Sequence, residues 1–207
     1  QGPWALLVPS TRCAPSGAAY LGRWALPVPQ TRMHFMIAQA SEVPSISALK
    51  DSLRTAFFSD CYSVELPLDS RTPLELYLNV ASRTPQWVDF LMNVRNKIVA
   101  RIGLKDMGAL SGVSPNKAAA DYSVGDQAGI FKLIEANDRE VILGETDKHL
   151  DVRISVVKQQ HKNRTTVSVS TVVHVHNLLG RIYMFFVTPA HRVIAPATVS
   201  KLALKQP

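Results

Sequence analysis

Three histidines and one aspartate are the residues of this 207-residue chain best suited to chemistry: Asp147, His149, His174 and His176. Around them the side chains alternate. From Glu145 onward Asp147, His149, Asp151, Arg153 and Ser155 are polar, while Leu150, Val152, Ile154 and Val156 are apolar. Over residues 166–176 the parity reverses, with Ser168, Ser170, His174 and His176 set against Val167, Val169, Val173 and Val175. Strand side chains change face at every residue, so the pattern predicts two long strands, each with one greasy and one charged side. A turn within residues 160–163 pairs them antiparallel and sets His149 opposite His174, Asp147 opposite His176 and Arg153 opposite Ser170. On the other face Leu150 meets Val173 and Val152 meets Thr171.

Facing side chains on paired strands sit about 5 Å apart, within reach of one another. Imidazoles and a carboxylate so placed could hold a divalent transition metal or supply a general base near neutral pH. The same patch is also what the wet side of an antiparallel sheet looks like. Asp147, His149, His174 and His176 go forward as candidate catalytic residues, with no metal and no cofactor expected. Arg153 belongs to a ladder with Glu145, Asp147 and Asp151. On an exposed face that ladder is a set of weak ion pairs; facing a cavity, the guanidinium would hold a ligand carboxylate. Tyr183, Phe185, Phe186 and Trp87 read either as core or as ligand wall, and an incompletely filled core makes them both. These five are the candidate ligand contacts. Cys61 has no base near it in sequence and reads as packed.

The elements that must position these residues are legible in outline. Residues 45–58 carry Ile46, Leu49, Leu53 and Phe57 at spacings of three and four, a weak helical signal. Residues 58–66 alternate and end at Pro67, which predicts the first strand. Thr72-Pro73-Leu74-Glu75 has the form of a capping box with proline at the first helical position, and Thr84-Pro85 opens a second helix in the same way. Residues 104–122, rich in Gly, Ala and Ser, read as a long loop suited to gating an entrance. Val124-Gly125-Asp126 turns into a strand at 130–135. Asn177 caps a final apolar helix running towards Leu204, which Pro189 and Pro196 should kink or divide.

Composition narrows the class. Forty-six per cent hydrophobic residues over this length support one buried core, so residues 36–207 are expected to form a single domain. Residues 1–35 contain five prolines and no Lys, Asp or Glu, and read as an extension outside that domain. The formal charge is +7, but Arg12, Arg23 and Arg32 lie in the extension, leaving 20 basic against 16 acidic residues elsewhere. That excess is too diffuse to imply nucleic acid. Two cysteines in unlike contexts argue against a disulfide framework and for a reducing cytoplasm. No uninterrupted apolar run is long enough for an integral membrane span. Nucleophile elbows, phosphate-binding glycine loops, C-x-x-C and H-E-x-x-H are all absent.

Pro85-Gln86-Trp87-Val88 leading to Arg95-Asn96-Lys97, Val124-Gly125-Asp126, the run from Gly144 to Arg153, and His176-Asn177 with Gly180-Arg181-Ile182-Tyr183 form a recognisable set. The chain resembles, through these residues, an uncharacterised bacterial family near the helix-grip superfamily of START domains, pollen allergens and polyketide cyclases. The resemblance covers roughly residues 45–204. It implies an α+β fold in which an antiparallel sheet packs around a long, Pro-kinked C-terminal helix, with two helices inserted after the first strand. It implies no reaction, because the family has no assigned activity. The expected function is binding of a small apolar or amphipathic molecule between sheet and C-terminal helix. The alternatives are a cyclase- or dehydratase-like enzyme using the His/Asp patch, and a membrane-surface or protein-interaction module using Arg181, Arg192 and Lys201.

Overall fold

A computed structural model describes residues 37–83, 88, 96, 112–113 and 117–203. The extension expected at residues 1–35 lies outside them, as do Trp87 and most of the second helix and long loop. Seven strands form one antiparallel sheet: β1 (Gln39–Ala40), β2 (Phe58–Pro67), β3 (Gln127–Ala128), β4 (Phe131–Ala136), β5 (Glu140–Thr146), β6 (Leu150–His161) and β7 (Arg164–Val175), in the spatial order β1-β2-β7-β6-β5-β4-β3. Helix α1 spans Pro73–Ser82 and helix α2 spans Leu178–Ser200. This is the helix-grip-like α+β arrangement expected, with a two-residue strand ahead of the predicted first one.

The predicted strand through Val141, Asp147 and Val157 is two strands. Asp147 ends the first by accepting the backbone N–H groups of His149 and Leu150 on Oδ1, at 2.6 and 2.9 Å, and the chain reverses into β6. Aspartate favours such turns because its carboxylate mimics a backbone acceptor two residues on. The β6/β7 hairpin turns at Lys162-Asn163, with His161 paired to Arg164. Its register is therefore offset by two residues from the predicted one: Asp151 faces His174, Arg153 faces Val172 and Ser155 faces Ser170. A two-residue offset keeps each side chain on its predicted face and changes only its neighbour.

The inner face of the sheet holds the main core. Val64, Leu66, Leu133, Val141, Leu143, Val156 and Val167 pack there with Leu74 and Leu76 of α1, with Val199 of α2 and with Leu202 in the 3-10 segment Lys201–Ala203 that follows it. Helix α1 has the predicted capping box, Thr72 Oγ1 accepting from Glu75 N and Glu75 from Thr72 N. Its Tyr77 hydroxyl donates to the Ala128 carbonyl at 2.9 Å, and burial pushes that phenol well above its ordinary range. Helix α2 runs unbroken across Pro189 and Pro196, each of which lacks the N–H an interior turn would use. Of the second predicted helix, Val88 and Asn96 are described, both helical and buried.

The outer face is not simply wet. Residues 43–56 lie over part of it as turns and a 3-10 segment, Asp51–Thr55, in place of the weak helix. Leu49, with Leu53 and Ala56 beside it, packs on Ile142 and Val172, whereas Ile46 and Phe57 stay exposed. Beneath this cover the buried Glu140 carboxylate accepts from Ser47 Oγ at 2.7 Å, Ser155 Oγ at 2.5 Å and Ala48 N at 3.0 Å. A carboxylate so fully bonded can be buried without an ion-pair partner.

Candidate functional site

The four candidate catalytic residues do not converge. His149 follows the β5–β6 turn and is buried against the start of α2, where its Nδ1 meets the Asn177 side-chain amide; its Nε2 is buried with no hydrogen-bond partner among the described residues. Asp147 is occupied in closing the turn. His174 lies on the outer face, its Nε2 3.1 Å from both Ser52 O and Thr55 Oγ1. His176 is half-exposed and pairs with Asp151 Oδ2 at 3.3 Å. His176 N donates to His149 O at 2.9 Å, so these two are backbone neighbours, but turn, register and outer cover give the four side chains different partners. Among the described residues no group of three or more His, Cys, Asp or Glu is placed to hold a metal ion.

The candidate ligand contacts divide as well. Arg153 lies on the outer face across Gly144, where its Nη1 donates to Thr146 Oγ1 and Val152 O, each at 3.2 Å. Gly144 is required beneath it: a Cβ there would sit 2.6 Å from Val152 O and 2.8 Å from the guanidinium. Phe185 and Phe186 point outward, 74% and 70% exposed, edge-to-face with each other. Tyr183 alone of the described group faces the sheet, packed against the cluster of Leu150, Val173 and Met184.

The structure instead assembles a polar site on the inner face. Asp60 on β2 is the register partner of Thr171 on β7, and α2 lays His191 over both. His191 Nε2 is 3.2 Å from Thr171 Oγ1 and 3.4 Å from Asp60 Oδ2. The Phe58 ring meets the imidazole edge-on, centroids 5.5 Å apart. Both carboxyl oxygens of Asp60 are buried, and their polar neighbours among the described residues, His191 Nε2 and the Thr171 side chain, pair with them only weakly. Buried polar atoms are nearly always paired, so a carboxyl held this weakly has capacity to accept a further donor.

Burial governs the electrostatics. It pushes the Asp60 carboxyl up, against the pull of His191, of the Thr171 hydroxyl and of Arg192, and pushes the His191 imidazole down, against the pull of Asp60. Desolvation outweighs mutual attraction in both groups, so their titrations move towards each other. The Tyr62 phenol is raised by burial and then by the nearby Asp60. Around this centre the apolar lining is incompletely covered: Phe58, Tyr62, Val152, Ile154 and Val169, all on the inner face, are only half-buried. Such a site can hold a polar group, exchange a proton with it and seat an apolar body beside it.

Asp60 was visible in the sequence as the one carboxylate among Phe58, Tyr62, Val64 and Leu66, the apolar parity of β2, and His191 as an imidazole in an apolar helix. Only tertiary pairing shows that they meet.

A family model described as "Protein of unknown function (DUF2867)" matches residues 52–198, well over half of the chain. The chain belongs to that family. Asp60, Thr171 and His191 all fall within the DUF2867 region. No curated protein matches. Among solved structures, norcoclaurine synthase from Thalictrum flavum aligns at 13% identity over 81% of this chain and 99% of that one, with a TM-score of 0.29, below the level at which two folds are the same.

Proposed function

We propose that this DUF2867 protein binds a small amphipathic molecule between the inner face of the sheet and α2. The observation that carries the reading is Asp60: a carboxyl whose oxygens are buried on an apolar face and only weakly paired, by His191 and Thr171. A ligand donor group would satisfy Asp60, and its apolar body would cover Phe58, Tyr62, Val152 and Val169. The three candidate groups play different parts. Asp60 accepts, Thr171 both donates and accepts, and His191 adjusts its tautomer to what the ligand presents.

Chemical-shift mapping tests this. A panel of small amphipathic compounds, each with one polar head, is titrated into the isotopically labelled full chain. Saturable shifts are expected at Phe58, Asp60, Thr171, Val173 and His191 and are lost in Asp60→Leu. Saturable shifts confined to the outer face, at His174, Arg153 and Glu140, would contradict the reading.

A further inference from the structure

Helix α2 is apolar on both sides. Its inner stripe, Gly180, Met184 and Val199, is buried. Leu178, Ile182, Phe185, Phe186 and Val193 face outward, with exposures of 70%, 49%, 74%, 70% and 64%. At about 100° per residue, positions 178, 182, 185, 189 and 193 fall along one line, and Phe186 widens it. A helix facing water on one side normally carries its polar residues there, and an exposed apolar stripe of this length marks a contact surface.

The formal charges that α2 itself carries are all positive. Arg181 and Arg192 are exposed and share one edge of it, and Lys148 is exposed in the turn that packs against the start of the helix. The 23 residues of α2 include no Asp or Glu. Among the described residues no helix is long and apolar enough to cross a bilayer. A fixed apolar strip with a cationic margin and no acid is the complement of a negatively charged interface: the phenyl rings enter the acyl boundary while guanidinium groups remain at the headgroups.

We propose that the outward face of α2 docks on an anionic lipid surface, the helix lying in the plane of the interface with Phe185 and Phe186 inserted. The inner face of the same helix keeps its contacts with the sheet, so docking places the Asp60 site one helix thickness from the lipid. The proposal stands without the ligand reading, because the apolar side chains that would insert, Phe185 and Phe186, are exposed on the outward face.

The test is co-sedimentation of the full chain with vesicles of phosphatidylcholine alone and of phosphatidylcholine mixed with phosphatidylserine. Binding is expected with the mixed vesicles and should weaken as salt rises. Arg181→Gln with Arg192→Gln should lower the affinity roughly 25-fold, about fivefold per lost cation near a charged surface. Phe185→Ser with Phe186→Ser should reduce binding by at least about tenfold through lost apolar insertion. The exposed Lys162 in the hairpin turn serves as control, and Lys162→Gln should bind as the wild type does. All four replaced α2 residues are exposed, and unchanged circular dichroism confirms that the variants fold. Wild-type protein left in the supernatant with mixed vesicles would overturn the proposal. So would phenylalanine variants that bind normally, or a dimer on gel filtration that those variants dissociate, since a second copy would then be what covers the stripe.

Discussion

At the scale of single residues, the informative feature is a largely buried carboxyl and imidazole in contact, each shifted towards its neutral form because desolvation outweighs their attraction. Because burial holds His191 below its ordinary value, the unfolded chain takes up that proton first as pH falls. The stability tied to neutral His191 is present above about pH 6.5 and is lost as pH drops through the depressed folded value. Asp60 has the opposite sign: its raised pKa favours the folded state at low pH, and that contribution is lost as pH rises through the folded value. Urea unfolding at a series of pH values checks this. Wild type is expected to lose stability below about pH 6.5 more steeply than His191→Gln; equal slopes would show that His191 is not held neutral. Asp60 was already legible as an acid on the apolar parity of β2. Its partners were not, because nothing local to residues 58–66 says which strand and which helix will cover them.

At the scale of elements, the start of α2 is fixed by two small contacts. Asn177 caps the helix by accepting Gly180 N at 3.1 Å, and its amide also donates to Lys148 O at 3.0 Å, tying the helix to the β5–β6 turn. Gly180 sits so close to that turn that a Cβ would collide with the His149 carbonyl and with Val175. Gly180→Ala, normally favourable inside a helix, is therefore expected to destabilise the protein by about 1–3 kcal/mol through overpacking. A lower urea midpoint with an unchanged slope would confirm this, and a gain in stability would refute it. Alternation over residues 150–176 was sufficient to assign faces, because parity alone decides them. It could not set the register, since a shift of two buries the same side chains, and it hid the strand break at Asp147, across which the alternation continues. That the side chains of His149, His174 and His176 do not converge follows from those two ambiguities. The cap at Asn177 and the box at Thr72 were readable because each is completed within four residues.

At the scale of the whole molecule, one helix serves two faces. Its inner side packs on β2 and β7, where Asp60, Thr171 and His191 meet beside half-buried Phe58, Tyr62 and Val169, and its outer side presents Leu178, Ile182, Phe185, Phe186 and Val193 to the surroundings. A protein that seats a small amphipathic molecule inside and a lipid interface outside would take up or release that molecule at the interface. The order of strands and helices was readable from turn residues, prolines and periodicity; the meeting of Asp60, Thr171 and His191 was not, since it depends on which strands and which helix pack together. The central claim is that the Asp60 site is occupied by a small molecule. Native mass spectrometry of the freshly purified full chain tests it most directly, with Asp60→Leu measured in parallel. A wild-type mass above that of the denatured chain is expected, an increment that collisional activation removes and that Asp60→Leu lacks. A wild-type mass equal to that of the denatured chain, or an increment that Asp60→Leu retains, would contradict it.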